Sequence, residues 1–420
     1  MPTNEQPAYG WLTLLRVFIP FSLGYYFSYL IRNVNAIIAP DLISDLGLDA
    51  SSLGLLTSAY FISFALVQLP MGIFLDRYGP RRVEATLLLF AATGSLIFSL
   101  SESLPSLIFG RTLIGLGVAS CLMAAFKANT EWFRAERLPL ANGCVLAMGG
   151  LGAMTATAPI EALLGYTDWR GVFAGFALLA LFISGVIYIV VPRRGERNIQ
   201  VESFREQLMG VRHVLSSRQF WRVAPACAAV QAGYLAVQGL WVGPWLQDVA
   251  KLSRVDIAEH LFVLAISVIA GFFVLGSVTE RFGRRGVSNL TVAQGSLYLF
   301  LASQFMIILQ VPLAPMLLWC MFGFFGTAGI LFYAYLSQCF PATLSGRVIT
   351  GLNVFTFLGA FAMQWGIGAI IDLWPAQQPG QFLEAGYQSA FSVSLAIQVV
   401  AMIWLGIAHR GAHRWAPREK

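Results

Sequence analysis

Hydrophobic positions in this chain fall in long unbroken runs, neither alternating nor confined to one helical face. No charged residue occurs at 50 to 75, 138 to 160, 171 to 192, 223 to 247, 261 to 279, 348 to 371 or 385 to 408. Each run approaches or exceeds the roughly 20 apolar residues that carry a helix across a hydrocarbon core. The stretch from Gly286 to Gly346 also lacks charge and histidine. It is too long for one crossing and must fold back, and the segment from Gln310 to Pro315, with two prolines, supplies the turn. Segments near 13 to 38, 83 to 101 and 105 to 128 complete twelve predicted helices. A transmembrane β-barrel is excluded, because its strands would alternate in polarity over about ten residues.

Composition agrees with this pattern. The chain has 420 residues, 57% hydrophobic and 11% charged, against roughly 45–50% and 25% in soluble domains. An all-α integral membrane protein follows. Cys121, Cys144, Cys227, Cys320 and Cys339 lie in or at the ends of predicted spans without metal-ligand spacing, so neither a disulfide framework nor a metal or other cofactor is expected. Met1 to Gly10 is a short polar leader. The span after it carries Arg16 and lacks a small-residue cleavage pattern, which predicts a retained first helix.

Basic residues set the orientation, since Lys and Arg collect in cytoplasmic loops. With the N-terminus inside, most of the 27 basic residues are cytoplasmic: Arg16, the groups around Arg81, Arg134, Arg193 to Arg222 and Arg284, then Arg347 and Arg410 to Lys420. Arg170, Lys251 and Arg254 fall on the other side. This predicts a multi-pass protein of the inner (plasma) membrane with both termini cytoplasmic. The net charge of +6 then reports loops facing anionic lipid and not a nucleic-acid partner. The long polar segment in the middle divides the chain into a six-helix bundle at 1–192, a cytoplasmic linker at 193–218 that is too short for a core of its own, and a second bundle at 219–420.

The two bundles share a motif. Gly72, Asp76, Arg77, Gly79 and Arg81, between the second and third spans, recur as Gly276, Glu280, Arg281, Gly283 and Arg285 between the eighth and ninth. Two copies at matching positions predict structural duplicates, as in parallel transporter repeats. The pattern resembles the signature loop of the major facilitator superfamily, which implies a gating role for the motif loops. Arg111 with Gly115 and Gly117 in the fourth span resembles that superfamily's Arg-and-glycine motif, and the Trp132 to Arg137 loop is a further match. The resemblance covers essentially the whole chain. It implies the major facilitator fold, with two six-helix repeats around a central cavity and alternating access by rocking about a midplane site.

Charges inside spans are costly and call for a reason. Tyr25, Tyr29 and Arg32 share one face of the first helix by their spacing of four and three. Such a face wants water or an anion, since a guanidinium can hold a carboxylate through two parallel hydrogen bonds. The alternative is an internal bond or a guanidinium reaching toward the outer face. Arg32 followed by Pro40 resembles the first helix of the anion:cation symporter family, in which that arginine contacts the anionic substrate. The seventh span has no second basic residue to complete a phosphate clamp, which favours a carboxylate. Arg111 and Glu161 lie at similar depth below the outer surface, so an ion pair is expected, either titrating during transport or static. Lys127 is expected to reach the inner interface, with an inner-gate or substrate contact as the alternative.

The spans of the second half carry no charge, leaving Tyr234, Gln238 and Trp241, with Gln231, as a polar and aromatic stripe on the seventh helix, together with Tyr333, Asn353 and Gln364. Asn353 and Gln364 equally suit interhelical hydrogen bonds. Gly149, Gly150 and Gly152 predict a close-packing surface on the fifth span. The resulting expectation is a secondary active transporter, acting as a monomer in the lipid bilayer, that takes up a small organic anion by symport with protons. The rivals are a proton-driven exporter of amphipathic compounds and a membrane-embedded enzyme, although no nucleophile and base cluster within the spans.

Overall fold

Proline and glycine shape the helices of this chain more than their length does. In the computed structural model, which describes residues 11–192, 204–287, 289–341, 344–374 and 381–412, eleven helices are long and apolar enough to cross a membrane. One of them contains two crossings. Ala50–Ser99 is a 50-residue run interrupted at Gly79, whose φ of 76° leaves the helical region; Pro80 follows, and a proline disfavours helical backbone in the residue before it. The two arms are α2 and α3, and all twelve expected spans are present.

The first span, α1, runs Trp11–Asn33 and resumes as Asn35–Leu46. The others are α4 (Leu104–Trp132), α5 (Leu138–Leu164), α6 (Trp169–Val190), α7 (Arg218–Asp248), α8 (Arg254–Gly283), α9 (Leu290–Ile308), α10 (Pro315–Gln338), α11 (Ser345–Ile371) and α12 (Glu384–Ile407). A separate helix, Phe204–Leu215, precedes α7. The leader Met1 to Gly10, the linker arginines Arg193, Arg194 and Arg197, and the terminal Arg414, Arg418 and Lys420 lie outside the described residues.

Successive spans alternate in direction, so the end at which α1 starts, here the proximal end, also receives the end of α12; the opposite end is distal. The halves meet where backbone can approach backbone. Pro40 has no N–H to offer the carbonyl of Ala36 one turn earlier, and that carbonyl faces Gly243 of α7, where any side chain would collide with it. Gly54 of α2 lies against the α11 backbone at Gln364 and Trp365, and Gly368 of α11 against Ala50. In α7, Pro225 likewise frees the Trp221 carbonyl, which accepts the Trp404 indole N–H of α12 at 2.8 Å.

The motif loops show where the duplication is imperfect. The expected equivalence of Gly79 and Gly283 fails at backbone level, because α8 remains helical through Gly283 and the positive φ falls at Gly286, at 81°. Arg284 stands where the first copy has Pro80 and lets the helix continue.

Candidate functional site

Arg32 lies midway along α1, two residues before the break at Val34. Its side chain is only partly buried. The site takes shape around it because both halves direct aromatic rings there. The guanidinium carbon is 4.8 Å from the ring centre of Tyr29, 5.3 Å from Phe64, 5.5 Å from Tyr60 and 5.9 Å from Phe357. Tyr29 belongs to α1, Tyr60 and Phe64 to α2, and Phe357 to α11, so the box spans the seam between the halves. Phe64 and Phe357 touch at 4.4 Å between centres.

The polar valence of Arg32 is far from filled. A guanidinium has five N–H donors, and here Nε and Nη2 share a single acceptor, the Tyr60 hydroxyl, at 3.3 Å each. Among the described residues no carboxylate pairs with it. Aromatic faces attract a cation but accept no strong hydrogen bond, so the arrangement holds the charge in place while leaving donors for an anion.

Tyr25 and Tyr29 meet edge to face at 5.0 Å. Gly149 of α5 gives both rings their room and Gly152 lets α5 rest on the Tyr26 carbonyl, which accounts for the small-residue surface of that helix. The asparagines near the break serve the backbone: Asn33 donates to the Tyr29 carbonyl at 2.8 Å and Asn35 to that of Arg32 at 3.3 Å.

The expected pairing of Arg111 with Glu161 is corrected by the structure. Arg111 is 1% exposed and donates to the Ile31 carbonyl of α1 at 3.1 Å, while its Nε and Nη1 have no partner. Its guanidinium carbon is 5.5 Å from the Tyr60 ring centre, the same distance as that of Arg32, so one ring serves both cations. Glu161 instead binds Arg254 at the start of α8, at 3.0 and 3.2 Å. Counting residues gave similar depths but carries no information about direction around the helix axis.

Lys127 forms an ion pair with the part-exposed Asp76 of the motif loop, at the proximal end where its own span finishes. In the same loop Arg81 donates to the Tyr188 carbonyl of α6, with Nε at 3.0 Å, and Arg77 lies 5.5 Å from the Tyr78 ring centre. In the second copy Glu280 binds Arg284 one turn on, at 2.6 Å, and both side chains are exposed.

Across the seam, Gln238 lies within a π-helical turn of α7, Val237–Trp241, a distortion that often marks functional positions. It is partly buried, as is Asn353. Tyr234 is buried, stacked on Phe322 at 5.7 Å, and its hydroxyl has no partner. Trp241 is fully buried and donates to the Gln364 carbonyl at 3.0 Å, a bond within the second half. Gln364 in turn donates to Thr57 of α2 at 2.6 Å, as its interhelical alternative expected.

Sequence reasoning missed the distal closure. Arg254 binds Asp41 at the end of α1 through two hydrogen bonds, at 2.6 and 2.9 Å, as well as Glu161 at the end of α5. Asp372 at the end of α11 accepts the backbone N–H groups of Ala50 and Ser51 at the start of α2, at 3.0 and 2.7 Å. Both clusters join one half to the other, so the distal end is closed in this state. The only signal in the sequence was that charged residues stand at these distal helix ends, at Asp41, Glu161, Arg254 and Asp372.

Comparison with known proteins places this architecture. The family model described as Major Facilitator Superfamily matches residues 21–364. The chain is similar to a "Probable sulfoacetate transporter SauU" of Cupriavidus necator, 24% identical over 68% of this chain and 69% of that protein. It is also similar to a "Probable nitrate/nitrite antiporter NarK1" of Thermus thermophilus, 25% identical over 59% of this chain and 57% of that one. In fold it matches a bacterial homolog of the human lysosomal transporter Spinster, solved in an inward-facing and unoccupied conformation, with a TM-score of 0.74, 17% identity and coverage of 98% and 100%. The chain belongs to the major facilitator superfamily and is a multi-pass membrane transporter of small molecules.

Proposed function

We propose that this protein takes up a small organic anion, a carboxylate, in symport with protons, and that Arg32 holds the anionic group. The observation that carries this reading is the Arg32 guanidinium at the seam between the halves, boxed by four aromatic rings and lacking a carboxylate partner. Sulfoacetate and nitrate, named for two relatives, are both anions. A single guanidinium with no basic residue in the facing spans suits one anionic group on a compact body. Tyr29 and Gln238 would complete the site from the two halves, with Tyr25, Tyr234 and Asn353 behind them, and Trp241 would act through Gln364. With the proximal end in the cytoplasm, as the basic residues favour, the closed distal end is the external one and this state is the one that releases cargo inward. The motif loops at Asp76 and Glu280 would then sit at the cytoplasmic gate.

The test is uptake into proteoliposomes with an imposed pH gradient, using sulfoacetate, small monocarboxylates, phosphate esters and lipophilic cations. Uptake of carboxylates that is stimulated by an acidic exterior and lost in Arg32→Ala supports the proposal. Transport confined to lipophilic cations would contradict it and favour export of amphipathic compounds.

A further inference from the structure

A carboxyl group that has no role in the anion site is buried in the first half. Glu84, four residues after Pro80 at the start of α3, is 0% exposed, and neither of its carboxyl oxygens has a hydrogen-bond partner. Its place is made by a glycine: a Cβ on Gly24 of α1 would collide with Glu84 Oε1. Ile187 of α6 closes the same spot, and the Cys121 thiol of α4, also fully buried, is the titratable group that faces Glu84. No cation pairs with it among the described residues.

A carboxylate with no counter-ion, faced only by a thiol, which is a weak donor, is not tolerated in such surroundings, so the group is accommodated as the neutral acid. Its contact with α1 ties it to the anion site. Gly24 is eight residues, or about two turns, before Arg32, with Tyr25 and Tyr29 between them on the same helix. Loss of the proton would leave a charge pressed against the α1 backbone. That charge can be relieved only if α1 shifts and admits water, and α1 also bears Asp41 of the distal closure. Two further hydroxyls, Ser22 of α1 and Ser120 of α4, are buried without partners on the helices that flank Glu84 and offer polar stepping points.

We infer that Glu84 is the proton-carrying group of the transport cycle: protonated in this distally closed state, and releasing its proton as α1 moves away from α3. The inference rests on the proton-coupled reading above and assigns that coupling to one side chain.

The test needs no identified cargo. Spin labels at Ser44→Cys and Leu373→Cys, both exposed near the distal ends of α1 and α11, report the gap across the closure in a background with Cys144, Cys320 and Cys339 replaced. They are read over about pH 6–9, where exposed carboxylates stay ionised. The wild-type distance distribution is expected to shift with pH, and infrared difference spectra to show the carbonyl stretch of a buried protonated acid. Glu84→Gln should remove both and hold the distance at its low-pH value. Glu84→Asp, which keeps a titrating group, should retain the shift with a moved midpoint and guards against a merely misfolded Gln variant. A wild-type shift that persists unchanged in Glu84→Gln overturns the assignment and leaves proton coupling standing. A wild-type protein with no pH-dependent shift and no protonated-acid band overturns the coupling itself.

Discussion

The two halves share a topology and divide the polar work unequally. In the first half charged groups stand inside the bundle short of partners: the partly buried Arg32 has one shared acceptor, Arg111 leaves two nitrogens unbonded, and neither oxygen of Glu84 is hydrogen-bonded. In the second half the one buried carboxyl among the described residues, Asp248 at the distal end of α7, accepts from the Tyr387 hydroxyl at 2.7 Å, and several neutral groups deeper in the spans bind each other. Gln304 and Gln398 exchange amide hydrogen bonds at 2.9 and 3.0 Å, and Tyr333 meets Thr356 at 3.0 Å. Neutral pairs of this kind fasten helices in an apolar medium, whereas an unpaired charge there persists only when something else recovers its cost. The difference teaches that the first half keeps charged groups with spare hydrogen-bonding capacity inside the bundle, while the second is held by neutral pairs; under the proposed function, the first would grip the cargo's charge and the second would close against it.

Replacement of Arg32 should break the comparison most severely. Arg32→Ala is expected to reduce anion uptake by on the order of 100-fold or more, the scale for losing one partner of a buried charged pair. Arg32→Lys should recover only part of it, since an ammonium lacks the planar two-pronged geometry. Initial rates in proteoliposomes check both. Phe357→Ala removes the second half's contribution to the aromatic box. It should weaken apparent affinity by roughly 3- to 30-fold, the range of a cation–π contact in a partly desolvated site, with a smaller change in maximal rate.

The distal closure sharpens the contrast from the side of conformation. Arg254→Ala should shift the population toward distally open states by only a few-fold, because the guanidinium is 43% exposed and exposed pairs contribute little. The distance between spin labels at Ser44→Cys and Leu373→Cys in the same variant reads that shift. The smallest effect belongs to Asp49, the N-cap of α2, which accepts from the Ser52 N–H at 2.7 Å. Burial pushes its carboxyl up, but the hydrogen bonds from Ser52 and Ser51 outweigh this and hold it below the usual carboxylate range. Its contribution is therefore present above the ordinary carboxylate value and is lost only as pH falls through the lowered one. Asp49→Ala should cost about 1 kcal/mol at neutral pH, seen as a modest fall in melting temperature that vanishes in strong acid.

Much of the fold was legible in the sequence, because uncharged runs of membrane-spanning length permit few alternatives and the repeated motif exposes the duplication. Arg32 was legible for the same reason: a guanidinium in the middle of an apolar helix, continuing a stripe of tyrosines. Its aromatic walls were not, since Tyr60, Phe64 and Phe357 resemble any ring that faces lipid until the helices are placed. Glu84 was hidden by its neighbours, because a carboxylate two residues after Arg82 reads as part of a charged loop. Asp41, Glu161 and Arg254 come from three separate distal ends, and a single sequence holds no information about which ends meet. Trp241 belonged to the polar stripe by spacing, yet the π-helical turn in α7 alters the angular step along that face.

The central claim is that the Arg32 guanidinium is held ready for an external anion. Thermal unfolding of purified wild type and Arg32→Ala, each with and without sulfoacetate and small monocarboxylates, tests it most directly. A ligand at about 100 times its dissociation constant adds roughly 2.7 kcal/mol of stability. The expected result is a rise in melting temperature for the wild type with at least one of these carboxylates and none for Arg32→Ala, whose unliganded melting stays close to that of wild type. Equal stabilisation of both proteins would contradict the account.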